Sequence, residues 1–199
     1  MKSYSLMEHY YTIQGEGYNT GSACYFLRLG GCDVGCVWCD VKESWDASIH
    51  PQVSVDGMLK MVKDANAKRA VITGGEPLMY DLKELTDVFQ KESIKVFLET
   101  SGAYPLTGNW DWICVSPKKF KAPLDEVLSK ADELKVIVFN KSDFEWAEAH
   151  KKKVTDSCKL FLQPEYSVLD KMLPEIIAYV KQHPEWSISL QTHKVMQIP

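Results

Sequence analysis

Apolar residues in this chain fall in short continuous runs: 23–29, 69–73, 94–98, 112–115, 134–138, 160–162 and 187–190. Each reads as a buried strand. Between them the apolar period changes. Val55, Met58, Leu59 and Val62 recur at helical spacing behind Ser54, a residue suited to cap a helix. Further helices are predicted over 82–91, 124–131, 144–152 and up to about 181, with Pro174 in the first turn of the last or at a kink. Continuous apolar strands alternating with helices predict a parallel sheet covered by helices. A closed eight-fold barrel takes about 250 residues, and this chain has 199. The expected fold is therefore α/β: a partial, open TIM-like barrel of six to seven mostly parallel strands with outer helices. With no linker or internal repeat in view, residues 1–199 are expected to form one domain.

Composition narrows the partners. The chain is 45% hydrophobic and 25% charged, with a net charge of -4 and a pI near 5.8. That balance argues against a nucleic-acid or anionic-membrane partner, either of which favours a basic face. The opening Met1-Lys2-Ser3-Tyr4-Ser5 leads into no apolar run, and no stretch reaches membrane-spanning length. Six cysteines in a chain this rich in core residues read as cytoplasmic thiols rather than disulfide staples. Cys24, Cys114 and Cys158 lie in or beside apolar runs and are expected to be buried and inert.

The chemistry-bearing sets follow the strands, where parallel α/β folds bind their ligands. After residues 23–29 come Cys32, Cys36 and Cys39, three cysteines within eight residues with no fourth nearby. A structural zinc site is closed by four protein ligands, whereas a working metal site keeps a position open. Iron–sulfur clusters are held by thiolates at close spacings of this kind, and an electron carrier takes four of them. A zinc knuckle completed by a distant His, or three ordinary thiols, are the alternatives. Gly74-Gly75-Glu76-Pro77 ends the next strand, its glycines allowing backbone to approach a ligand and Glu76 offering a partner for an ammonium. Gln14-Gly15-Glu16-Gly17 is either a surface turn or a similar close approach. Arg28, within an apolar strand, needs a carboxylate such as Glu16 or an anionic ligand.

The C-x(3)-C-x(2)-C spacing with Trp38 before the last cysteine, followed by Gly74-Gly75-Glu76-Pro77, resembles the radical S-adenosylmethionine (SAM) enzymes. Within them the chain resembles the 7-carboxy-7-deazaguanine synthase family over nearly its whole length. The matching sets include 14–17, 26–32, 36–40, 73–77, 99–102, 116–118, 162–164, 191–194 and the closing Ile198-Pro199. The resemblance implies a [4Fe–4S] cluster on Cys32, Cys36 and Cys39, with SAM on its open iron. It implies conversion of 6-carboxy-5,6,7,8-tetrahydropterin to 7-carboxy-7-deazaguanine with loss of ammonia, in queuosine and deazapurine biosynthesis. The reacting radical then comes from SAM, and no side chain is needed as catalytic acid or base. SAM contacts are implied for Trp38, Asp40, Gly74, Gly75, Glu76, Ser116, Pro117, Lys118, Gln163 and Glu165. Substrate contacts are implied for Ile13, Gln14, Gly15, Glu16, Arg28, Thr73, His193 and Pro199. Glu16 or a chain-terminal carboxylate at Pro199 suits the guanidine-like edge of a pterin, Gln14 its ring amides, and Arg28 its carboxylate. His193 is equally at home as a solvated or structural residue. A flavodoxin-like reductant and a homodimer are also implied. One position departs from the family: a Thr that helps hold Mg2+ is replaced by Val41, which has no side-chain oxygen. The competing assignments are a glycyl-radical activating enzyme, which must grip a protein loop, and a small electron-transfer or zinc module.

Overall fold

The computed structural model describes residues 2–199. Among them nine strands form one sheet: β1 (Ser3–Ile13), β2 (Ala23–Leu29), β3 (Gln52–Ser54), β4 (Arg69–Gly74), β5 (Lys95–Thr100), β6 (Trp112–Val115), β7 (Glu133–Val138), β8 (Lys159–Pro164) and β9 (Trp186–Ile188). Their order is β3-β1-β2-β4-β5-β6-β7-β8-β9. From β2 to β9 every neighbouring pair is parallel, while β1 runs antiparallel to β2 and to β3. The helices are α1 (Val55–Asp64), α2 (Lys83–Lys91), α3 (Asp125–Leu128), α4 (Ser142–Lys151), α5 (Leu169–Gln182) and α6 (Thr192–Met196). None is long and apolar enough to cross a membrane.

The parallel run has the expected architecture, an unclosed α/β sheet with helices outside. Ser54 caps α1, its side chain accepting from the Gly57 amide, which satisfies one of the orphan donors of a helix start. Several details differ from the sequence expectation. β1 was not foreseen, because its apolar and polar residues mix and few are fully buried. β3 and α6 were not foreseen either, α3 spans a single turn and β9 ends at Ile188. Of the two places expected for Pro174, the first turn is not the one it takes; it lies further inside α5.

The core lies between sheet and helices. Leu27, Val55, Met58, Leu85, Phe89 and Val96 fill one half, and Leu128, Leu134, Val136, Leu162, Ile176 and Trp186 the other. Successive strand residues point to opposite faces. On β7, Leu134, Val136 and Val138 therefore face the helices, while Glu133, Lys135 and Ile137 face the barrel interior, which becomes a polar space.

The open seam between β1 and β9 is bridged by the loop after β1. The Gly17 amide donates to Ser189 Oγ at 2.9 Å, and the Thr192 amide to the Gly15 carbonyl at 2.9 Å. Tyr18 stacks on Trp112 with ring centroids 5.0 Å apart. Gln14–Tyr18 is thus no free surface turn; it stitches the two edges of the barrel together.

Candidate active site

The loop after β2 carries the three cysteines, all free thiols. Gly31 and Gly35 hold φ of 105° and 75°, a region that favours glycine. The Cys32 amide donates to the Trp45 carbonyl at 3.1 Å and the Gly31 amide to the Ser44 carbonyl at 2.6 Å. The loop after β4 packs directly on it. A Cβ on Gly75 would stand 2.4 Å from the Gly31 carbonyl oxygen and 2.5 Å from Cys32 Cβ, and one on Gly74 2.2 Å from the Leu29 oxygen. Backbone meets backbone here, so these two glycines are dictated by packing.

Two cavities open at the carboxyl ends of the strands and in the barrel interior. The first is lined by Cys32, Cys36 and Cys39 together with Trp38, Asp40, Gly74, Gly75, Ser116, Lys118, Gln163 and Glu165. The second is lined by Ile13, Gln14, Gly15, Glu16, Arg28, Thr73, His193 and Pro199. Glu16, Asp40, Val41, Thr73, Glu99, Gln191 and Lys194 border both. Most residues implied for SAM line the first compartment and those implied for substrate line the second, with Asp40, Glu16 and Thr73 on the shared wall.

Several expectations are corrected. Glu76 does not present itself to an ammonium in the cavity. It is 1% exposed, and its carboxylate accepts from the Leu78 amide (3.0 Å), Thr100 Oγ1 (2.5 Å), the Ser101 amide (2.8 Å) and Ser101 Oγ (2.5 Å). All four acceptor sites of a carboxylate are consumed, locking the loop after β4 to the end of β5. Pro117 faces a neighbouring groove beside Val37, Phe120 and Trp146 rather than the cysteine-bearing cavity. Arg28 finds the carboxylate partner it needs, but in Glu8 rather than Glu16: its Nε donates to Glu8 Oε1 at 2.6 Å across the β1–β2 ladder. It still borders the second compartment. Glu165 caps the turn that follows it, accepting from the Ser167 amide at 3.0 Å. His193 lies in the second compartment against Gly15, whose missing Cβ would stand 2.4 Å from its Nδ1.

Sequence reasoning assigned no role to Lys135 or Glu99. Lys135, 4% exposed, bridges Glu16 and Glu99 at 2.8 and 3.0 Å. Burial alone would raise the Glu16 carboxyl, but the Lys135 charge and hydrogen bonds from Lys135, Gln191 and Gln163 outweigh it and hold it at about 2. Glu133, two residues before Lys135, goes the other way. Burial pushes its carboxyl up to about 7 despite Lys135 and the Trp112 and Tyr18 N–H groups, and its Oε1 is buried with no partner among the described residues. The available signal was a charged residue at the centre of an apolar strand.

Three cysteines with one thiolate short of a closed set, in a cavity that continues past them, fit a [4Fe–4S] cluster with an open iron. Val41 offers no side-chain oxygen for a magnesium ion beside Asp40, and Lys194 Nζ lies 3.9 Å from Asp40 Oδ2.

The comparisons with known proteins agree with this geometry. The family model described as the Radical SAM superfamily matches residues 27–114, which run from β2 through the cysteine loop to β6. Fold and site define an enzyme of the radical SAM class, which works with a [4Fe–4S] cluster and SAM. The chain is 54% identical over 194 residues to the 7-carboxy-7-deazaguanine synthase of Flavobacterium psychrophilum, covering 98% of this chain and 92% of the relative. It is 44% identical to that of Synechocystis, covering 98% and 94%. The crystal structure of QueE from Escherichia coli superposes with a TM-score of 0.85 at 32% identity, covering 96% of this chain and 95% of that one. The chain belongs to the 7-carboxy-7-deazaguanine synthase family.

Proposed function

We infer that this chain converts 6-carboxy-5,6,7,8-tetrahydropterin to 7-carboxy-7-deazaguanine with loss of ammonia, within queuosine biosynthesis. The observation that carries this reading is the shared wall. The cysteine-bearing compartment and the compartment bordered by Gln14, Glu16, Arg28 and His193 meet at Thr73, Glu16 and Glu99. A radical generated on one side reaches a substrate held on the other without crossing solvent.

Cys32, Cys36 and Cys39 would hold the cluster, which when bound would supply the electron for reductive cleavage of SAM. The protein's part is binding, orientation and exclusion of water. Ser116, Lys118, Gln163 and the backbone of Gly74-Gly75 line the SAM position, with Lys118 Nζ anchored on the Ser116 carbonyl at 2.7 Å. In the second compartment Glu16 and Glu99 accept N–H groups of the pterin, Gln14 faces its ring amides, and Arg28 balances its carboxylate. Thr73, at the end of β4, separates the reacting groups.

With Val41 where the family has Thr, magnesium dependence is expected to be weaker, any bound ion being held by substrate and water. Residues 1–199 act as one domain, in the cytoplasm, with a low-potential reductant such as flavodoxin. Pairing of two copies is supported by the half-exposed aromatic face of β1, where Tyr11 stacks on Tyr25. The test is anaerobic reconstitution with iron and sulfide, then SAM, reductant and the pterin under mass spectrometry. The expected product has the mass of 7-carboxy-7-deazaguanine and disappears in Cys36→Ala. SAM cleavage without that product would overturn the substrate and favour an activating enzyme.

A further inference from the structure

Lys135 stands at the centre of β7, on the interior face of the barrel. Removing a lysine from water so completely is costly unless its charge is matched. The match is two carboxylates from distant segments: Glu16 in the loop after β1, and Glu99 on β5. Each is tied a second time. Glu16 Oε1 accepts from Gln191 Nε2 at 2.9 Å, and Glu99 Oε1 from Gln14 Nε2 at 3.3 Å. The placement is asymmetric. Glu16 and Glu99 border both compartments, while Lys135 borders the cysteine-bearing one alone. From the substrate side, two fixed anions are in view and the cation stands behind them. A carboxylate has about four acceptor sites; Glu16 also takes a hydrogen bond from Gln163 and Glu99 one from Cys114, so each carboxylate keeps a site for an incoming N–H.

We propose that Lys135 is a positioning residue for the reaction: it holds Glu16 and Glu99 oriented on the shared wall, and so sets the affinity for the N–H-rich edge of the pterin. The inference rests on the substrate reading above. Lys135 does not itself touch the pterin; it acts through the two carboxylates. Without its ammonium, burial would push the Glu16 carboxyl up, turning an acceptor into a donor that faces donors, and Glu99 would lose the partner that orients it. The other groups facing Lys135 are Cys114 on β6, Glu133 on β7, Lys118 in the loop after β6 and His193 on α6. Glu133 is the carboxyl among them that titrates near neutrality, so the comparison belongs in a Glu133→Gln background.

The experiment is isothermal titration of the pterin into reconstituted, SAM-bound, unreduced enzyme. Lys135→Met in that background should bind pterin about 10- to 100-fold more weakly near neutral pH, the loss of charge-assisted hydrogen bonds, with SAM affinity unchanged. The deficit should shrink as pH rises and Glu16 ionises, while the parent shows no such limb. Lys135→Arg should restore the parent's pH profile. If Lys135→Met does not fold, Glu99→Gln breaks one arm of the network; it should weaken pterin but not SAM. Equal pterin affinity in parent and variant, or SAM and pterin affinity falling together, would overturn the proposal. Parent enzyme that binds no pterin would overturn the substrate reading and this inference with it. Pterin binding indifferent to Lys135 and Glu99 would overturn this inference alone.

Discussion

The two compartments that meet at Glu16, Thr73 and Glu99 are held together by different forces. The cysteine-bearing side is walled by residues that directly follow strands, and its loops pack backbone on backbone at Gly74 and Gly75. The substrate side draws on segments as far apart as Ile13, Arg28 and Pro199, fastened by buried side-chain charge. Close packing tolerates almost no added volume. A charge network tolerates shape changes but not the loss of a partner. The first kind of wall suits a cofactor common to a superfamily; the second can be retuned for one substrate.

Substitutions can break each wall on its own terms. The largest effect is expected for Gly75→Ala, whose Cβ would sit 2.4 Å from the Gly31 carbonyl oxygen. Iron and sulfide content after reconstitution should fall sharply and activity by about a hundredfold or more, as expected when a site shifts by an ångström. Full cluster content would mean that the cysteine loop yields. Glu76→Ala should come next, leaving the Thr100 and Ser101 donors buried without their acceptor. Urea unfolding should show a loss of about 3–5 kcal/mol, whereas a residue that served only as a ligand for SAM would leave stability unchanged.

The charge network offers a signed pH test. A carboxyl whose folded value is raised favours the folded state below its unfolded value and costs stability as pH rises through the folded one. For Glu133 the window runs from the ordinary 4.5 to about 7. Glu133→Gln should therefore raise the melting temperature above pH 7, by about 1–3 kcal/mol of stability, with the gain fading toward pH 4.5. Glu16, held at about 2, has the opposite sign: its contribution is present above about pH 4.5 and lost on acidification toward 2. A Glu133→Gln gain that grew at low pH would reverse this account. The smallest effect is expected for Val41→Thr. Restoring a hydroxyl beside Asp40 should raise stimulation by magnesium a few-fold in initial-rate assays, and strong dependence in the parent protein would refute the weakened site.

Legibility in the sequence divides along the same line. The parallel strands, the capped α1 and the cysteine loop were readable because each is a local pattern: an apolar run, a cap, a spacing. β1 was hidden by its mixed, half-buried residues, and Pro174 by a helix that tolerates it away from the first turn. Arg28 was recognised as needing a partner and Glu76 was read as a partner for a ligand ammonium, but the groups they meet, Glu8 for the one and Thr100 and Ser101 for the other, are set by strand register. Lys135 was visible as a lysine in an apolar run, yet nothing local tells that Glu16, 119 residues away, is its counter-ion.

The most direct test of two compartments sharing one wall is isotope transfer. With pterin deuterated at C6, reconstituted enzyme should place deuterium at the 5′ position of the adenosyl product or of recovered SAM. SAM cleavage with deuterium retained wholly in the pterin-derived product would contradict the shared wall.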